Sequence, residues 1–522
     1  MAKPTAKPTY QSRLAFTAKR FLKFLKVFRR SRRGMFGIAI IVLFTFIAAG
    51  APLLTPNDPT SDLFVSSDKA QPAWFKYLPG GENIAEDVRP VKDPGFKSSD
   101  SLFSNTPDWN YTTQATHSSL SNLTLQYSPD GGRPGTIGGS GGGAAEIVFK
   151  RTDPRRPAGT VYADLINDFD YSYIAAPKRF TANASVQVVG GEDVNVVARL
   201  FMTNSSGFKF YFWSPPAITN TTGWITSTSD SYDALMGARI ATLVGRFVDE
   251  PAKIIFPGKD HYQFGLEVIF QDNSPATVDR DITVSIDDLN LRLYGNAYGL
   301  LGTDQQGRDL WAQLAYGARI SLTVGLISAI LSVVIGLFVG LIAGYLGRAV
   351  DEVLMRFTDA LLVLPGLPLL LVLIAVMGAS MWNLILVIGL LGWLGFARMV
   401  RAQTLSLRER PFVEAAKAVG AGKWHVISRH ILPNVMNLVY VSLALSVPSA
   451  ILSEAALSWL GLFDPTQSSW GRTLYDAQQY NGGQYWWWVV PPGVAIALIS
   501  LSFILIGYAL DEVLNPRLRQ RR

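Results

Sequence analysis

The residue types that usually carry chemistry are sparse in this chain and form no catalytic pattern. There are no cysteines and only four histidines, which excludes thiolate sites and leaves little material for a metal centre. Gly422-Lys423 is followed by Trp424 and has no glycine five residues upstream of Gly422, so the phosphate-binding pattern G-x-x-x-x-G-K-[ST] is missing. H-E-x-x-H does not occur. We therefore expect a non-enzymatic chain that itself binds no cofactor and no metal.

One short polar stretch has a distinctive arrangement. Residues 412–435 read FVEAAKAVGAGKWHVISRHILPNV. The alanines beside Glu414 predict a helix, Gly420 and Gly422 permit a backbone reversal that a β-branched residue would oppose, and Pro433 is predicted to end the basic piece before an apolar run. The candidate residues are Glu414, Ala415, Ala416, Lys417, Gly420, Ala421, Gly422, Ile431 and Pro433. The alternative is a plain basic loop that only sets membrane topology.

The elements around this stretch are predicted to lie in a membrane. The chain has 522 residues, of which 48% are hydrophobic and 17% charged. Ordinary soluble domains carry about 25% charged residues. Uncharged runs of membrane length indicate six transmembrane helices. They are predicted at 34–54, about 320–346, 353–378, 382–399, 434–456 and 489–510.

The first apolar run follows a basic segment, residues 1–33, which is also the signature of a signal peptide. Because that basic segment is long and the apolar run lacks a clear cleavage site, we interpret 34–54 as an uncleaved first membrane helix.

The distribution of positive charge predicts the orientation of the helices. Arginines and lysines crowd into residues 1–33, the segment 398–430 and the tail 511–522. These three regions fall on one side of a six-helix arrangement, which the positive-inside rule assigns to the cytoplasm. We therefore expect a multi-pass plasma or inner membrane protein with both termini cytoplasmic. The same distribution accounts for the net charge of +7 without nucleic acid.

Residues 55–300 hold no run of membrane length and are predicted to form an external insert between the first two helices. Residues 55–144 are expected to be irregular and glycine-rich. In 145–298, short apolar runs alternate with turn residues, which is typical of an all-β sandwich. The predicted strands are TVYADLI, SVQVV, VNVVARLFM, FKFYFW, ARIATLV, AKIIF, YQFGLEVIF and ITVSIDDLNLRLYG.

The last of these runs predicts a β-bulge. Its apolar residues change parity across Asp287-Asp288, and one extra residue there keeps both halves facing one core. The run also resembles the closing strand of jelly-roll carbohydrate-binding modules.

The stretch at 412–435 resembles the EAA loop of type I ABC importer permeases, through Glu414-Ala415-Ala416, Gly420 and Ile431-x-Pro433. Its flanks resemble the C-type permease subunit of the subfamily importing dipeptides, oligopeptides and nickel. Those flanks are APLLTPNDP at 51–59, LGTDQQGRDLWAQLAYGARISL at 301–322, VDEVLMRFTDALLVLP at 350–365, SEAALSWLGL at 453–462 and DEVLNPR at 511–517. Residues 34–60 and 300–517 are covered; the large insert departs from the family pattern.

The resemblance implies an all-α polytopic permease fold, with the permease core at 301–510 and the coupling loop, here called the EAA segment, at residues 401–433. It implies that the EAA segment receives force from separate ATPase subunits, which use ATP and Mg²⁺. It also implies three kinds of protein partner: a second, homologous permease subunit in a heterodimer, two ABC ATPases and an external solute-binding protein. The lipid membrane is the remaining partner.

Three smaller features are left with alternatives. Glu454, next to Ser453, is a candidate for the translocation path or its gate, because an acid at membrane depth is costly; it could equally cap the outer helix turn and face water. Asp304, Arg308 and Asp309 are expected to tie the start of the second helix through local ion pairs and caps; the alternative is contact with the solute. Gly336, Gly340 and Gly344 share one helix face and predict close helix packing; the alternative is that they line the translocation path.

For function we expect an ATP-driven import permease, with peptides as the first substrate class and oligosaccharides as the alternative. A membrane-anchored carbohydrate-binding receptor is the alternative from another class, and the EAA segment argues against it.

Overall fold

The computed structural model describes residues 28–514 except 116–121, 136–141, 152–158, 191–193, 222 and 273–279. Most of the predicted basic N-terminus and of the predicted C-terminal tail lies outside the described residues. The chain divides into two compact units. The membrane unit comprises Met1–Val65 and Asp304–Arg522, and the insert unit comprises Ser66–Thr303.

The membrane unit is helical. Its helices are α1 (Arg32–Leu54), α5 (Leu310–Leu346), α6 (Arg348–Val363), α7 (Gly366–Met377), α8 (Met381–Gly392), α9 (Leu394–Arg408), α10 (Pro411–Ala418), α11 (Lys423–Val426), α12 (Leu432–Trp459), α13 (Trp470–Gln479) and α14 (Trp486–Leu514). In the described part of the chain, five helical runs are long and apolar enough to cross a membrane, or six if one bent pair forms a single span.

The bent pair corrects the predicted span at 353–378. Helix α6 ends at Val363, α7 begins at Gly366, and the two are bent by 92°. Pro365 has no N–H to donate and disfavours helical backbone at Leu364, which is extended (φ −71°, ψ 136°). A hydropathy pattern does not reveal this break, because proline interrupts the helical backbone but leaves the run of apolar residues intact.

The other predicted spans are shorter than the helices observed. The helix predicted at 320–346 begins at Leu310, where Asp309 caps it by accepting a hydrogen bond from the Trp311 N–H at 2.9 Å. The span predicted at 382–399 belongs to a run over Met381–Arg408, and that at 489–510 to Trp486–Leu514. Helices continue into polar sequence because their backbone bonding does not depend on apolar side chains.

The start of α5 is held by a buried ionic cluster, as predicted. The guanidinium of Arg308 donates to Asp304 at 2.6 Å and to Asp476 on α13 at 2.8 Å. Gln313 also donates to Asp304 at 2.6 Å. The cluster therefore fixes α5 to α13, which the sequence alone did not indicate.

The glycines of α5 pack against α9, which confirms the close-packing interpretation. A Cβ on Gly340 would lie 2.6 Å from the Ala397 carbonyl oxygen and 2.6 Å from the Val400 Cβ. Corresponding additions at Gly336 and Gly344 would meet the next turns of α9. The absence of side chains at these positions lets the two helices approach closely.

The insert unit contains two antiparallel five-stranded sheets. Their orders are β1-β4-β9-β6-β7 and β2-β3-β10-β5-β8. The strands are β1 (Asn110–Ala115), β2 (Asn122–Ser128), β3 (Ala144–Arg151), β4 (Thr160–Tyr171), β5 (Arg179–Val189), β6 (Val194–Asn204), β7 (Lys209–Trp213), β8 (Ile225–Asp230), β9 (Asp260–Asp272) and β10 (Arg280–Tyr294). The sheets share one hydrophobic core, in which Phe149 stacks on Phe270 at 5.2 Å.

The predicted bulge in β10 is confirmed. Its pairing with β5 shifts register between Asp287 and Asn290, and Asp288 has a positive φ of 53°. As a result, Ile286 before the shift and Leu291 after it are both fully buried.

Two predicted strands of the insert are helices. ARIATLV lies in α3 (Ala234–Val244), and the first four residues of AKIIF lie in α4 (Pro251–Ile255); a further short helix, α2, spans Asp100–Phe103. Asp233 caps α3 by accepting from the Leu235 N–H, and Gly245 ends it in the left-handed region. Met236 and Ile240, four residues apart, are the buried positions, so the apolar period is helical.

The stretch predicted to be irregular, 55–144, holds β1, β2 and the first residue of β3. Both β1 and β2 are edge strands. Edge strands tolerate polar side chains, so Thr112 and Thr113 of β1 carry no apolar alternation for a sequence to reveal.

Gly340→Ala should destabilise the membrane unit, because its new Cβ overlaps the α9 backbone. Overpacking of this kind costs about 1–3 kcal/mol. Gly395→Ala is the matched control, since a Cβ there meets nothing within 4 Å. Thermal unfolding of the detergent-purified protein should show a lower midpoint for Gly340→Ala and no loss for Gly395→Ala. Equal midpoints would contradict the packing.

Candidate functional site

The EAA segment folds as a short helix, a turn and a continuation into α12. It begins in the last two turns of α9, at residue 401, and continues through α10, a turn at 419–422, α11, a π-helical turn at Ile427–Ile431 and the first residues of α12. Arg410 is extended (φ −81°, ψ 144°), and Pro411 opens α10. Proline suits this first helical position because its missing N–H would have no partner there.

The turn after α10 is a Schellman motif centred on Gly420. Gly420 has φ +89°, and its N–H donates to the Lys417 carbonyl at 2.9 Å. The Ala421 N–H donates to the Ala416 carbonyl at 3.0 Å. These bonds satisfy two carbonyls at the end of the helix. The predicted need for glycine is thus confirmed at Gly420, where a Cβ would meet nothing within 4 Å and the constraint is purely on the backbone.

The predicted role of Gly422 is wrong. This residue has φ −66° and ψ 160°, an extended conformation that any residue adopts, and a Cβ there would also meet nothing within 4 Å. The reversal is completed at Gly420, so Gly422 only precedes α11.

The predicted break at Pro433 is also wrong. A continuous helical run extends over Lys423–Trp459, and Pro433 lies inside it. The Leu432 N–H donates to the Ile427 carbonyl, five residues back, within the π-helical turn. This wider turn precedes the proline and accommodates its ring and missing donor. The EAA segment is therefore joined to α12 rather than separated from it.

The inner face of the EAA segment is anchored by apolar packing. Val413, Val426 and Ile431 have no exposed surface. They share a core cluster with residues of α5 and α9, including Tyr345 and Val400. The half-buried Ala416 and Ala421 pack against the same cluster. Helix α10, the turn at 419–422 and α11 are thus attached to three longer helices, α5, α9 and α12.

The outer face combines charged and apolar side chains. Glu414, Ala415 and Lys417 are exposed. The Lys417 ammonium lies 5.8 Å from the centre of the Tyr345 ring and donates to the Arg408 carbonyl at 3.5 Å.

Three apolar residues of this face were missed by sequence reasoning. Phe412 is 43%, Val419 91% and Trp424 66% exposed. The signal was present: they stand among charged residues in a segment whose inner positions are already filled by valine and isoleucine. Exposed apolar groups on a rigid turn are suited to docking with another protein.

Glu454 and Ser453 lie on α12, away from this segment. Glu454 is buried and accepts hydrogen bonds from Ser458 at 2.9 Å and from Ser321 on α5 at 3.4 Å. The alternative in which Glu454 caps a helix turn and faces water is therefore wrong. Ser453 is partly exposed, and its hydroxyl donates to the Ser449 carbonyl at 2.8 Å.

Comparison with known families identifies two matching regions. Residues 336–520 match the binding-protein-dependent transport system inner membrane component. Residues 20–77 match the N-terminal TM domain of oligopeptide transport permease C.

Individual relatives agree with these matches. The chain is 41% identical over 222 residues to the oligopeptide transport system permease protein OppC of Haemophilus influenzae, covering 42% of this chain and 71% of that one. It is 35% identical over 220 residues to the dipeptide transport system permease protein DppC of Bacillus subtilis, covering 42% and 69%. Among solved structures, the inward-facing MetNI methionine ABC transporter matches 38% of this chain and 96% of its own, at 18% identity and a TM-score of 0.30.

Gly420→Val should open the Schellman turn, because a left-handed conformation costs a β-branched residue about 1–2 kcal/mol. Amide hydrogen exchange at Ala421 should then be faster by roughly 5–30-fold. Gly422→Val is the matched control, because valine fits the extended conformation found there. Equal exchange in the two variants would contradict the geometry.

Proposed function

The chain belongs to the family of ABC importer permeases that includes the oligopeptide and dipeptide permease C proteins, and from that membership we propose that it forms one half of a peptide translocation path. The two permease relatives described above are named for oligopeptide and dipeptide transport systems, which favours peptides over the oligosaccharides considered from the sequence. A second, homologous permease subunit completes the path, and an external solute-binding protein delivers the substrate.

The proposed arrangement in the membrane has six spans, with α6 and α7 forming one bent span. Both termini and the EAA segment face the cytoplasm, because the basic residues of the sequence cluster in these regions. The insert unit, proposed to be a β-sandwich, then lies on the external side. Long domains cross the membrane regardless of their charge, so its own basic residues are compatible with this side.

The EAA segment is proposed to be the point where ATPase subunits drive the permease. One observation carries this proposal: the segment exposes Phe412, Val419 and Trp424 while its inner face is fully packed. The outer face suits a groove on a partner, with the apolar side chains as anchors and Glu414 at the rim. ATP and Mg²⁺ are bound by those ATPase subunits.

Force at this face has a direct route into the membrane. Helix α11, the π-helical turn and α12 form one continuous run, and Val413 ties α10 to the same core. Displacement of the outer face therefore tilts α12 as a unit. Movement of this helix would switch the path between inward-facing and outward-facing states.

Glu454 and Ser453 are proposed to contribute to a gate in this path. Glu454 links α12 to α5 through Ser321, so a change in the tilt of α12 alters this hydrogen bond. A buried acid in a transmembrane helix is costly and is retained where it has a function.

Glu414→Arg should abolish coupling while leaving the fold intact, because it reverses the charge of an exposed side chain in the proposed docking face. Uptake of peptide into proteoliposomes, rebuilt with the partner permease, ATPases and binding protein, should fall more than about tenfold, the effect of losing an interface hot spot. ATPase stimulation by the loaded binding protein should fall with it. The same change at Glu352, an exposed residue of α6, is the control. Wild-type uptake in Glu414→Arg would refute this role.

Val419→Ser and Trp424→Ser should weaken binding of the ATPase subunits to the purified permease by about tenfold or more, the loss expected of an interface anchor. Val189→Ser, at an exposed valine of the insert unit, should leave this affinity unchanged. Thermal midpoints equal to wild type would show that the fold is retained. Unchanged affinity in both variants would place the docking face elsewhere.

A further inference from the structure

The insert unit carries an exposed apolar surface on and after α3. Leu235 is 74% and Phe247 84% exposed, and Leu243 and Val244 are exposed as well. We call these four side chains the α3 patch. The opposite face of α3 places Met236 and Ile240 in the insert core, so the helix is firmly seated while its outer apolar residues remain uncovered.

A groove beside the α3 patch leaves Phe247, the largest side chain of the patch, unpacked. A groove of about 800 Å³ separates α3 from the segment that leads into α4. Small residues of α3, among them Gly237 and Ala241, line one wall, and Phe247 and Val248 line the other. Phe247 is therefore free to enter an apolar phase without breaking contacts within the unit.

The α3 patch lies at the end of the insert unit where the chain enters and leaves. Tyr232, just before α3, donates a hydrogen bond to Asp68, near the start of the unit. The Arg179 guanidinium lies 5.0 Å from the centres of the Tyr232 ring and of the Tyr294 ring, which is near the end of the unit.

The two connecting segments are themselves joined. Gln71 bridges to Ala297, and the Ala70 N–H donates to the Thr303 hydroxyl at 2.8 Å. From there the chain reaches the membrane helices through residues 55–65 to α1 and residues 304–309 to α5. An extended chain covers about 3.3–3.6 Å per residue, so the longer connection spans at most about 40 Å.

We propose that the α3 patch inserts into the interfacial layer of the lipid bilayer that holds α1 and α5. The short connections keep the local concentration of membrane high, so a small apolar surface suffices for contact. A freely diffusing protein partner would need about 800 Å² on this side, more than four side chains provide. Interfacial helices place such residues at the boundary between headgroups and acyl chains.

The contact depends on apolar burial rather than on charge. Two exposed arginines near the patch, Arg239 and Arg246, offset Asp249 and Asp233, the residue that caps α3. Because the charges are balanced, attraction to anionic headgroups contributes little, and the contact should persist at high salt.

The absence of cysteine from the chain allows a direct test in the full-length protein. Phe247→Cys and Leu243→Cys are each labelled with an environment-sensitive fluorophore and reconstituted into vesicles without partner proteins. Val189→Cys is the control, an exposed residue at the far end of β5 from Arg179. At about 3.3 Å per residue along β5, Val189 lies roughly 30 Å from the end of the insert unit where the chain enters and leaves.

Lipids with a quencher on the acyl chain should quench the probes at residues 247 and 243 several-fold more than the probe at 189, at low and at high salt. Iodide in the water should quench in the opposite order. Equal iodide quenching at all three positions would overturn the proposal. So would protection that appears only when the solute-binding protein or partner permease is added, since a protein would then cover the patch. The readout requires no transport and is therefore independent of the proposed function.

Discussion

The apolar packing of Val413, Val426 and Ile431 against α5 and α9 is the interaction on which the proposed coupling segment depends. Without it, α10 and α11 would be two short helices in water, far below the length at which isolated helices are stable. Burial of these side chains gives the segment a fixed inner face. It is this attachment that leaves Phe412, Val419 and Trp424 free to face outward as a shaped surface.

The proposed coupling also requires a continuous helix from α11 into α12, and an irregular stretch of backbone provides it. An α-helix at Pro433 would place the proline ring against the carbonyl of the fourth residue before it. The π-helical turn at Ile427–Ile431 widens the helix where this clash would occur. The defect therefore preserves the run that a regular helix would have interrupted.

The parts that were predictable from the sequence follow from local rules. The left-handed turn at Gly420 was predictable because glycine favours that conformation. The bulge at Asp287-Asp288 was predictable because the apolar residues change parity there. The predictions were wrong where the backbone conformation depends on neighbouring residues rather than on hydropathy. The bend at Pro365 was hidden by continuous hydropathy, and the continuity at Pro433 depends on a π-helical turn that sequence rules do not anticipate. The outer face of the EAA segment was missed, although Phe412, Val419 and Trp424 stand among charged residues, because only the packing of the inner face shows which apolar side chains stay exposed.

The bridge between Gln71 and Ala297, with the bond from Ala70 to Thr303, also bears on how such a large unit came to stand between two membrane helices. A domain whose two ends lie close together can be inserted into a loop without separating the ends of that loop. Domain insertions and circular permutations are tolerated best under this condition. Its folding can be completed independently of its host, and the entropy of closing so long a loop is compensated within the domain itself. The insertion is in this sense a module, a unit with its own core and with its two ends joined to each other.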